Sequence, residues 1–489
     1  MVELSRTLTG SITPADKAAD DYLLLPFEVP PGVGRLDVCY TYTHRVSAAL
    51  PEGSGNVVDI GVFDPRGATV FRGQGFRGWS GSDRSEFTIG LTDATPGYLP
   101  GPIYPGTWHV ILGLYHIVPE GCHYRVEIAL SEERGSRGAE EQGRGGAVSC
   151  GLQWYRGDLQ SHTHHSDASG SVADLTAAAR ARGLDFVAVT DHNTVSHWAH
   201  LAAAGGDDLL LIPGQEITTY YGHANAWGAH GWQEFRCRDS ATMARIIDAV
   251  HASGGLFSVN HPKDNGPAWE YSPDPSGRAS GRSLPFDCVE AWQGLWAANN
   301  HQSLDFWDSL LRRGRRVAAV GGSDKHVAPF TGETSQYDLG TPTTWVYAGE
   351  LSAAGILGGI QAGHVFISAD PQGPELYLAA DTDGDGVCEV MMGDEVVIAA
   401  GRSVTLRAQV VGGRGLVLRI VSGEGVKSVP VESDEFTHRW QARPKGATFY
   451  RLELVEPGEG EVAHNPAALV RRALSNPIYV TIATPGEDG

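Results

Sequence analysis

"SVADLTAAARARGLDFVAVTDHN", Ser171 to Asn193, holds one complete folding unit, and the fold is read outward from it. Ser171 with Asp174 three residues on is a capping box, which satisfies the free amides at a helix start. Ala- and Leu-containing sequence follows until Gly183, a residue that stops helices by entering left-handed backbone. "LDFVAVTD" is then almost wholly apolar, as a strand is when both sheet faces are covered. A capped helix feeding such a strand is a β-α unit. It delivers Asp191 and His192 at the strand's C-terminal end.

The same texture repeats on both sides, from about residue 150 to 370. "LLLIPGQE", "LFSVNHP", "CVEAWQ" and "VAAVGGSD" read as strands, "ATMARIIDAVHASGG" and "QSLDFWDSLLRRG" as helices. Repeated units of this size form a parallel barrel or a doubly wound sheet. Parallel strands bring their C-terminal ends to one rim, where α/β enzymes build their sites. His162, Asp191 with His192, Glu216, His261, and Asp324 with His326 each follow an apolar strand. Twelve of the 19 histidines lie between His162 and His326. "GDLQSHTHHSDAS", Gly157 to Ser169, alone carries three of them with two aspartates. Clustered imidazoles need solvent, hydrogen bonds or metal. A strand-end set of imidazoles and carboxylates without thiolate points to metal, with Zn²⁺, Mn²⁺ or Fe²⁺ as fitting ions.

Farther out the pattern changes to period two. "RLDVCYTYT" places Leu36, Val38, Tyr40 and Tyr42 on one face, and "HYRVEIAL" does so with Tyr124, Val126, Ile128 and Leu130. An N-terminal β-sandwich over residues 1–130 is expected. "SEERGSRGAEEQGRGGA" loses hydrophobicity, so residues 131–149 read as a linker before the central domain, 150–370. Over 371–489 alternation returns, with Val404, Leu406, Ala408 and Val410 on one side of "RSVTLRAQVV". A second, smaller β-sandwich is expected there.

A chain of 489 residues allows two to four domains. Its 37 basic and 58 acidic residues give a net charge of -21. Such a surface repels phosphate backbones and anionic lipid, so neither nucleic acid nor membrane is an expected partner. A small anionic substrate can still bind where metal cations reverse the local field. No apolar run of about 18 residues and no signal-like N-terminus occur, so a cytoplasmic location is expected. The six cysteines stand far apart and read as free thiols. "DTDGDG", Asp381 to Gly386, starts like a calcium loop, but Met392 occupies position twelve, so it reads as a turn.

Taken in order, "GDLQSHTHHSD", "VAVTDHN", "IPGQE", "GHANAWG", "VNHP" and "GGSDKH" resemble the PHP (polymerase and histidinol phosphatase) superfamily. The flanking β regions and "SNPIYV" resemble its CehA/McbA-type metallohydrolases. The resemblance implies a distorted (β/α)7 PHP barrel flanked by N-terminal and C-terminal β-sandwich domains, with two or three divalent metal ions at the strand ends. It implies His162 and Asp324 on a first metal, with Glu216 bridging to a second. His223 and His261 complete the second, and Asp167, His192 and His326 hold a third. Without the resemblance, His223 alone reads as a loop histidine and Asp191 as a helix cap; with it, Asp191 is a weak ligand or outer partner. His164, His165, His197 and His200 read as surface or helix residues without a role. Gln160 is the departure, because the family has histidine there. Its amide oxygen is a weaker ligand, or a hydrogen-bond partner of metal-bound water.

The expected activity is that of a metal-dependent hydrolase, first of all a phosphoesterase acting on a small anionic ester. A metal-bound water with its pKa lowered to roughly 7 is the nucleophile, and Glu216 is the bridging carboxylate. Lys263 is a candidate to neutralise a substrate oxygen, or a solvated loop lysine. Carbamate or carboxylic ester hydrolysis is the alternative chemistry. Trp227, Trp232, Trp269, Trp292 and Trp296 would suit an aromatic ester, or a core. A degenerate PHP binding or scaffold protein is the alternative of another class, supported by Gln160. Natural substrate and oligomeric state stay open.

Overall fold

The computed structural model describes residues 4–46, 55–132, 152–264, 267–271, 284–330, 338–458 and 466–483. From residue 133 onward, the linker expected over 131–149 lies outside them.

Alternating sequence folds first into two four-stranded antiparallel sheets within Leu4–Ser131. Leu36, Val38, Val126, Ile128 and Leu130 of one sheet face Val58, Ile60, Val62, Val110 and Leu112 of the other in a single core. Period-two apolarity thus buries one face of each sheet, which is the physical basis of a sandwich.

In the central region the Ser171 capping box and the left-handed Gly183 bound the helix Val172–Arg182. The strand Phe186–Val189 follows, buried at every position. It pairs in parallel with Gln153–Asp158 on one side and Leu210–Thr219 on the other. Leu210–Thr219 then turns at Tyr220–Tyr221 and returns antiparallel as Gly222–Trp227, with Gly222 at φ 128°. Leu256–Val259 pairs antiparallel to that strand, and Cys288–Gln293 and Ala318–Gly322 continue in parallel.

This arrangement departs from the (β/α)7 barrel that the resemblance implies. Two of the six junctions are antiparallel, because a two-residue turn leaves no room for the crossover helix that parallel pairing needs. Nor does the sheet close by regular pairing. Among the described residues, the isolated bridge between Ser161 and Lys325 is what links the extensions of its first and last strands.

On its other side Gln153–Asp158 pairs with Thr343–Ala348, and Val365–Ser368 carries the sheet on to Arg471–Ser475. The central sheet is therefore continuous with one layer of the C-terminal unit. A four-stranded sheet covers that layer, with Leu376, Leu378, Leu406 and Val410 packed on Leu418, Leu452 and Leu454. Buried Arg451 reinforces the junction with two 2.8 Å hydrogen bonds to Asp308 of the helix Ala298–Arg312. No helix among the described residues is long and apolar enough to cross a membrane. Cys39, Cys122, Cys237, Cys288 and Cys388 are free thiols.

Candidate metal centre

The strands deliver their polar residues to one rim. His162 and Asp167 lie in the loop after Gln153–Asp158, and His192 lies three residues past Phe186–Val189. Glu216 and His223 sit on the two strands of the hairpin, so His223 is a strand residue and not a loop histidine. His261 follows Leu256–Val259, and Asp324 and His326 follow Ala318–Gly322. Backbone bonds lace these tips together: Asp324 N–H donates to Gln160 O at 2.9 Å and Thr190 N–H to Ser161 O at 2.9 Å. His261 and Asp324 hold φ of 24° and 52°. Such backbone costs a non-glycine residue about 1–3 kcal/mol and persists where surrounding structure enforces it.

The side chains converge into three overlapping groups whose ligand atoms lie within 4.8 Å of one another: His162, Asp167, His192 and His326; Glu216, His223 and His261; and His162, Glu216 and Asp324. Glu216 is central and fully buried. Its Oε2 lies 3.3 Å from His162 Nε2 and 3.0 Å from His192 Nδ1, and its Oε1 lies 3.4 Å from both His223 Nδ1 and His261 Nε2. Yet Oε2 makes no aligned hydrogen bond, and neither does His162 Nδ1 or His261 Nδ1. A buried carboxylate oxygen 3.0–3.3 Å from two imidazoles, and left without an aligned partner, fits a cluster that encloses divalent cations.

Electrostatics agree with that fit. Burial opposes ionisation of Glu216, but His192, His223 and His261 hold its carboxyl well below the ordinary range. Asp324 is likewise lowered against burial, by His326 and His162. Burial lowers His192, but Asp167 and Glu216 outweigh it and raise the imidazole to about 9. His261 and His326 rise to about 10 against the same burial, His261 through Glu216 and Glu290, His326 through Asp324 and Asp167. In His223 burial prevails and the pKa falls. Without metal, protons occupy the positive positions that the carboxylates demand.

Gln160 is fully buried at this site. Its Nε2 donates to Glu216 Oε1 at 3.0 Å and to Asp324 Oδ1 at 3.1 Å, while its own oxygen has no partner. Asp191 caps no helix: the next helix, Trp198–Ala204, starts at His197 without a side-chain cap. Instead Asp191 accepts the backbone and hydroxyl groups of both Thr163 and Ser166 at 2.7–3.0 Å, fixing the loop that carries His162 and Asp167. The Lys263 ammonium lies 5.6 Å from the Phe306 ring centroid. His165 and His197 are buried rather than on the surface, and His197 Nε2 lies 3.0 Å from Val189 O. Asp381, Asp383, Asp385 and Glu389 also cluster, away from the rim, and Asp381 accepts the Gly384 and Gly386 amides as a turn requires.

Four positioning residues are visible only in three dimensions. Asp158 accepts the Gln160, Ser323 and Gly340 amides and so ties three tips together. Asn260 donates to Glu216 Oε1 at 2.9 Å, and Gln293 to Asp324 Oδ2 at 2.6 Å. Glu290 accepts the His261 amide at 2.8 Å and is held well above the usual carboxylate range by burial. The signal in sequence was slight: Glu290 and Gln293 are polar residues inside the strand "CVEAWQ".

No family model matches the chain, and no curated protein matches it. Solved structures do show similarity. A two-domain protein from Bacteroides vulgatus containing a predicted PHP-like metal-dependent phosphoesterase aligns over 69% of this chain and 100% of its own, at 16% identity and a TM-score of 0.36. A candidate metal-dependent phosphoesterase from Bifidobacterium adolescentis aligns over 37% and 90%, at 17% identity and 0.25. An amidohydrolase from Chromobacterium violaceum with bound sulfate aligns over 35% and 87%, at 15% identity and 0.24.

Proposed function

We propose that this protein is a metal-dependent hydrolase of the PHP type, acting on phosphate esters. The observation that carries the reading is the convergence of Glu216 with His162, His192, His223 and His261, at 3.0–3.4 Å, in a buried rim site. Glu216 spans two ligand groups, with Asp324 and His162 on one side and His223 and His261 on the other. Asp167, His192 and His326, together with His162, form the third. Mixed imidazole and carboxylate donors suit Zn²⁺, Mn²⁺ or Fe²⁺.

When bound, such ions supply Lewis acidity that lowers the pKa of water toward about 7 and polarises the ester oxygen. The chain's own residues do the rest. Asp191 and Asp158 hold the loops so that the donors stay aimed at the rim. Asn260 orients the Glu216 carboxylate and Gln293 that of Asp324 through hydrogen bonds, as outer partners of metal ligands do. Glu216 stays ionised, which lets one side chain face two cations. The CehA/McbA-type likeness of the flanking β regions belongs to this reading, as does an ester that is anionic at its reacting end.

The test is direct. Purified protein is assayed for metal content, then for hydrolysis of phosphomonoesters, phosphodiesters and aryl carbamates, before and after chelation. Phosphate release that stops with chelation and returns with metal supports the proposal. Metal-free protein without turnover would instead favour the binding-protein reading, and turnover of carbamates alone the other ester chemistry.

A further inference from the structure

The loop that carries His162 and Asp167 runs from the end of Gln153–Asp158 to the helix Val172–Arg182. Asp191 accepts its amides and hydroxyls at Thr163 and Ser166. Two of its carbonyls are held by the N-terminal sandwich instead. Arg84 Nη1 donates to Ser166 O at 2.8 Å, and Nη2 donates to His164 O at 2.6 Å.

Arg84 stands in the connection between Phe76–Gly81 and Glu86–Ile89, strands that belong to different sheets of the sandwich. Asp83 Oδ2 balances its charge at 3.0 Å. A guanidinium presents its donors in a rigid planar fork, so the two carbonyls are held at a set spacing and tilt. Bonds from a charged donor are also stronger than neutral ones.

A second contact brings the sandwich against the same region. Gly97 N–H donates to Ser196 Oγ at 3.0 Å, and Gly97 O accepts the Thr194 hydroxyl at 2.9 Å. Ser196 Oγ in turn lies 2.8 Å from His165 Nδ1. Gly97 has φ 98°, and a Cβ there would come within 3.0 Å of His165 O and 2.8 Å of Trp79 O. Glycine permits both this backbone and this approach.

Asp167 depends on the hold more than its neighbours do. Its side chain is 47% exposed, whereas those of His162, His192 and His326 are 29% exposed or less. Asp167 Oδ1 lies 3.6 Å from His192 Nε2 and 3.4 Å from His326 Nε2. The Ser166 carbonyl belongs to the planar peptide that joins Ser166 to Asp167. By fixing that plane, Arg84 sets the direction in which the Asp167 side chain leaves the loop.

We propose that Arg84 is a positioning residue of the metal centre, through which the N-terminal sandwich sets Asp167 against His192 and His326. The inference rests on the hydrolase reading only in taking that group to hold a divalent ion.

Full-length Arg84→Ala and Arg84→Lys are compared with the native protein, and Arg45→Ala is the control. Arg45 donates to Ser82 O at 2.9 Å in the same connection, so its loss loosens that turn and leaves both loop carbonyls bonded. Hydrogen exchange of EDTA-treated protein reads the loop without metal. Exchange across residues 162–168 should quicken about tenfold in Arg84→Ala, and less in Arg84→Lys, whose ammonium lacks the fork. Leu210–Thr219 should keep its native rate. Zn²⁺ loss to graded chelator, counted ion by ion, reads the centre. Arg84→Ala should weaken one ion about tenfold, the lower end of the range for outer partners of ligands, and leave the others as they were. Millimolar guanidinium chloride should restore part of that affinity.

Native ion loss in Arg84→Ala overturns the positioning role, whatever the exchange shows. An equal effect of Arg45→Ala overturns it too, since general loosening of the sandwich would then suffice. Quickened exchange in a protein that holds no Zn²⁺ at any group would sink the hydrolase reading and leave the hold on the loop standing. Tightly held Zn²⁺ with native exchange in Arg84→Ala would do the reverse.

Discussion

Gln160 and Glu216 share a buried hydrogen bond of 3.0 Å, and the same amide reaches Asp324 at 3.1 Å. One neutral side chain thus holds together the two carboxylates of the His162–Glu216–Asp324 group. An amide is a poorer donor to late first-row ions than imidazole. Gln160→His should therefore raise metal occupancy at this group. Dialysis against graded chelator, with metal counted at each step, should show the native protein losing one ion before the rest and the variant retaining it longer. Simultaneous loss in both proteins would make Gln160 a spectator.

Glu216 is asked to serve two groups with one carboxylate. Glu216→Gln removes the charge that the surrounding imidazoles face at 3.0–3.4 Å. Metal content should fall at two positions, and hydrolysis by at least about 100-fold, beyond the loss typical of an outer partner. Full occupancy in the variant, with activity within a few-fold of native, would refute the bridging role.

Loading the centre should also release protons. In the metal-free protein His192 titrates at about 9 and His261 and His326 at about 10, so these rings are protonated at neutral pH. Only neutral imidazole binds a metal, and apparent affinity should therefore rise with pH. Because these pKa values are raised above the unfolded value of about 6.5, their stabilisation is complete below that pH and is lost as pH climbs through 9 to 10. Calorimetry of metal binding in two buffers of different ionisation enthalpy counts the protons. One or more per protein is expected; none would contradict the assigned charges.

Much of this was legible in sequence, for local reasons. Ser171, Asp174 and Gly183 bound a helix through bonds spanning three or four residues, and Val404 to Val410 bury alternate side chains because a strand has period two. The strand-end histidines and carboxylates stood out because each follows an apolar run. The antiparallel return at Tyr220–Tyr221 did not, since an apolar strand reads alike in either direction. Asp158, Asn260, Glu290 and Gln293 are single polar residues whose partners lie on other strands. Trp79, on the strand Phe76–Gly81, lines the same pocket as His192 and His223 although it is far from them in sequence, and no periodicity encodes such a contact.

Asp191 offers the last test, because its work is structural and separable from ligation. It is fully buried and accepts four hydrogen bonds, two from backbone amides and two from hydroxyls of Thr163 and Ser166. Asp191→Ala leaves those donors buried without acceptors, each costing about 1–3 kcal/mol less whatever water restores. A destabilisation of roughly 3–5 kcal/mol is expected, in the range for breaking a buried network. Asp191→Asn keeps one acceptor oxygen and should lie between. The loop also carries His162 and Asp167, so the alanine variant should lose metal from their group while Glu216, His223 and His261 keep theirs. Thermal melts with metal counting on both variants provide the readout. If the alanine variant melts with the native protein and keeps its full metal content, the loop is held by something other than Asp191.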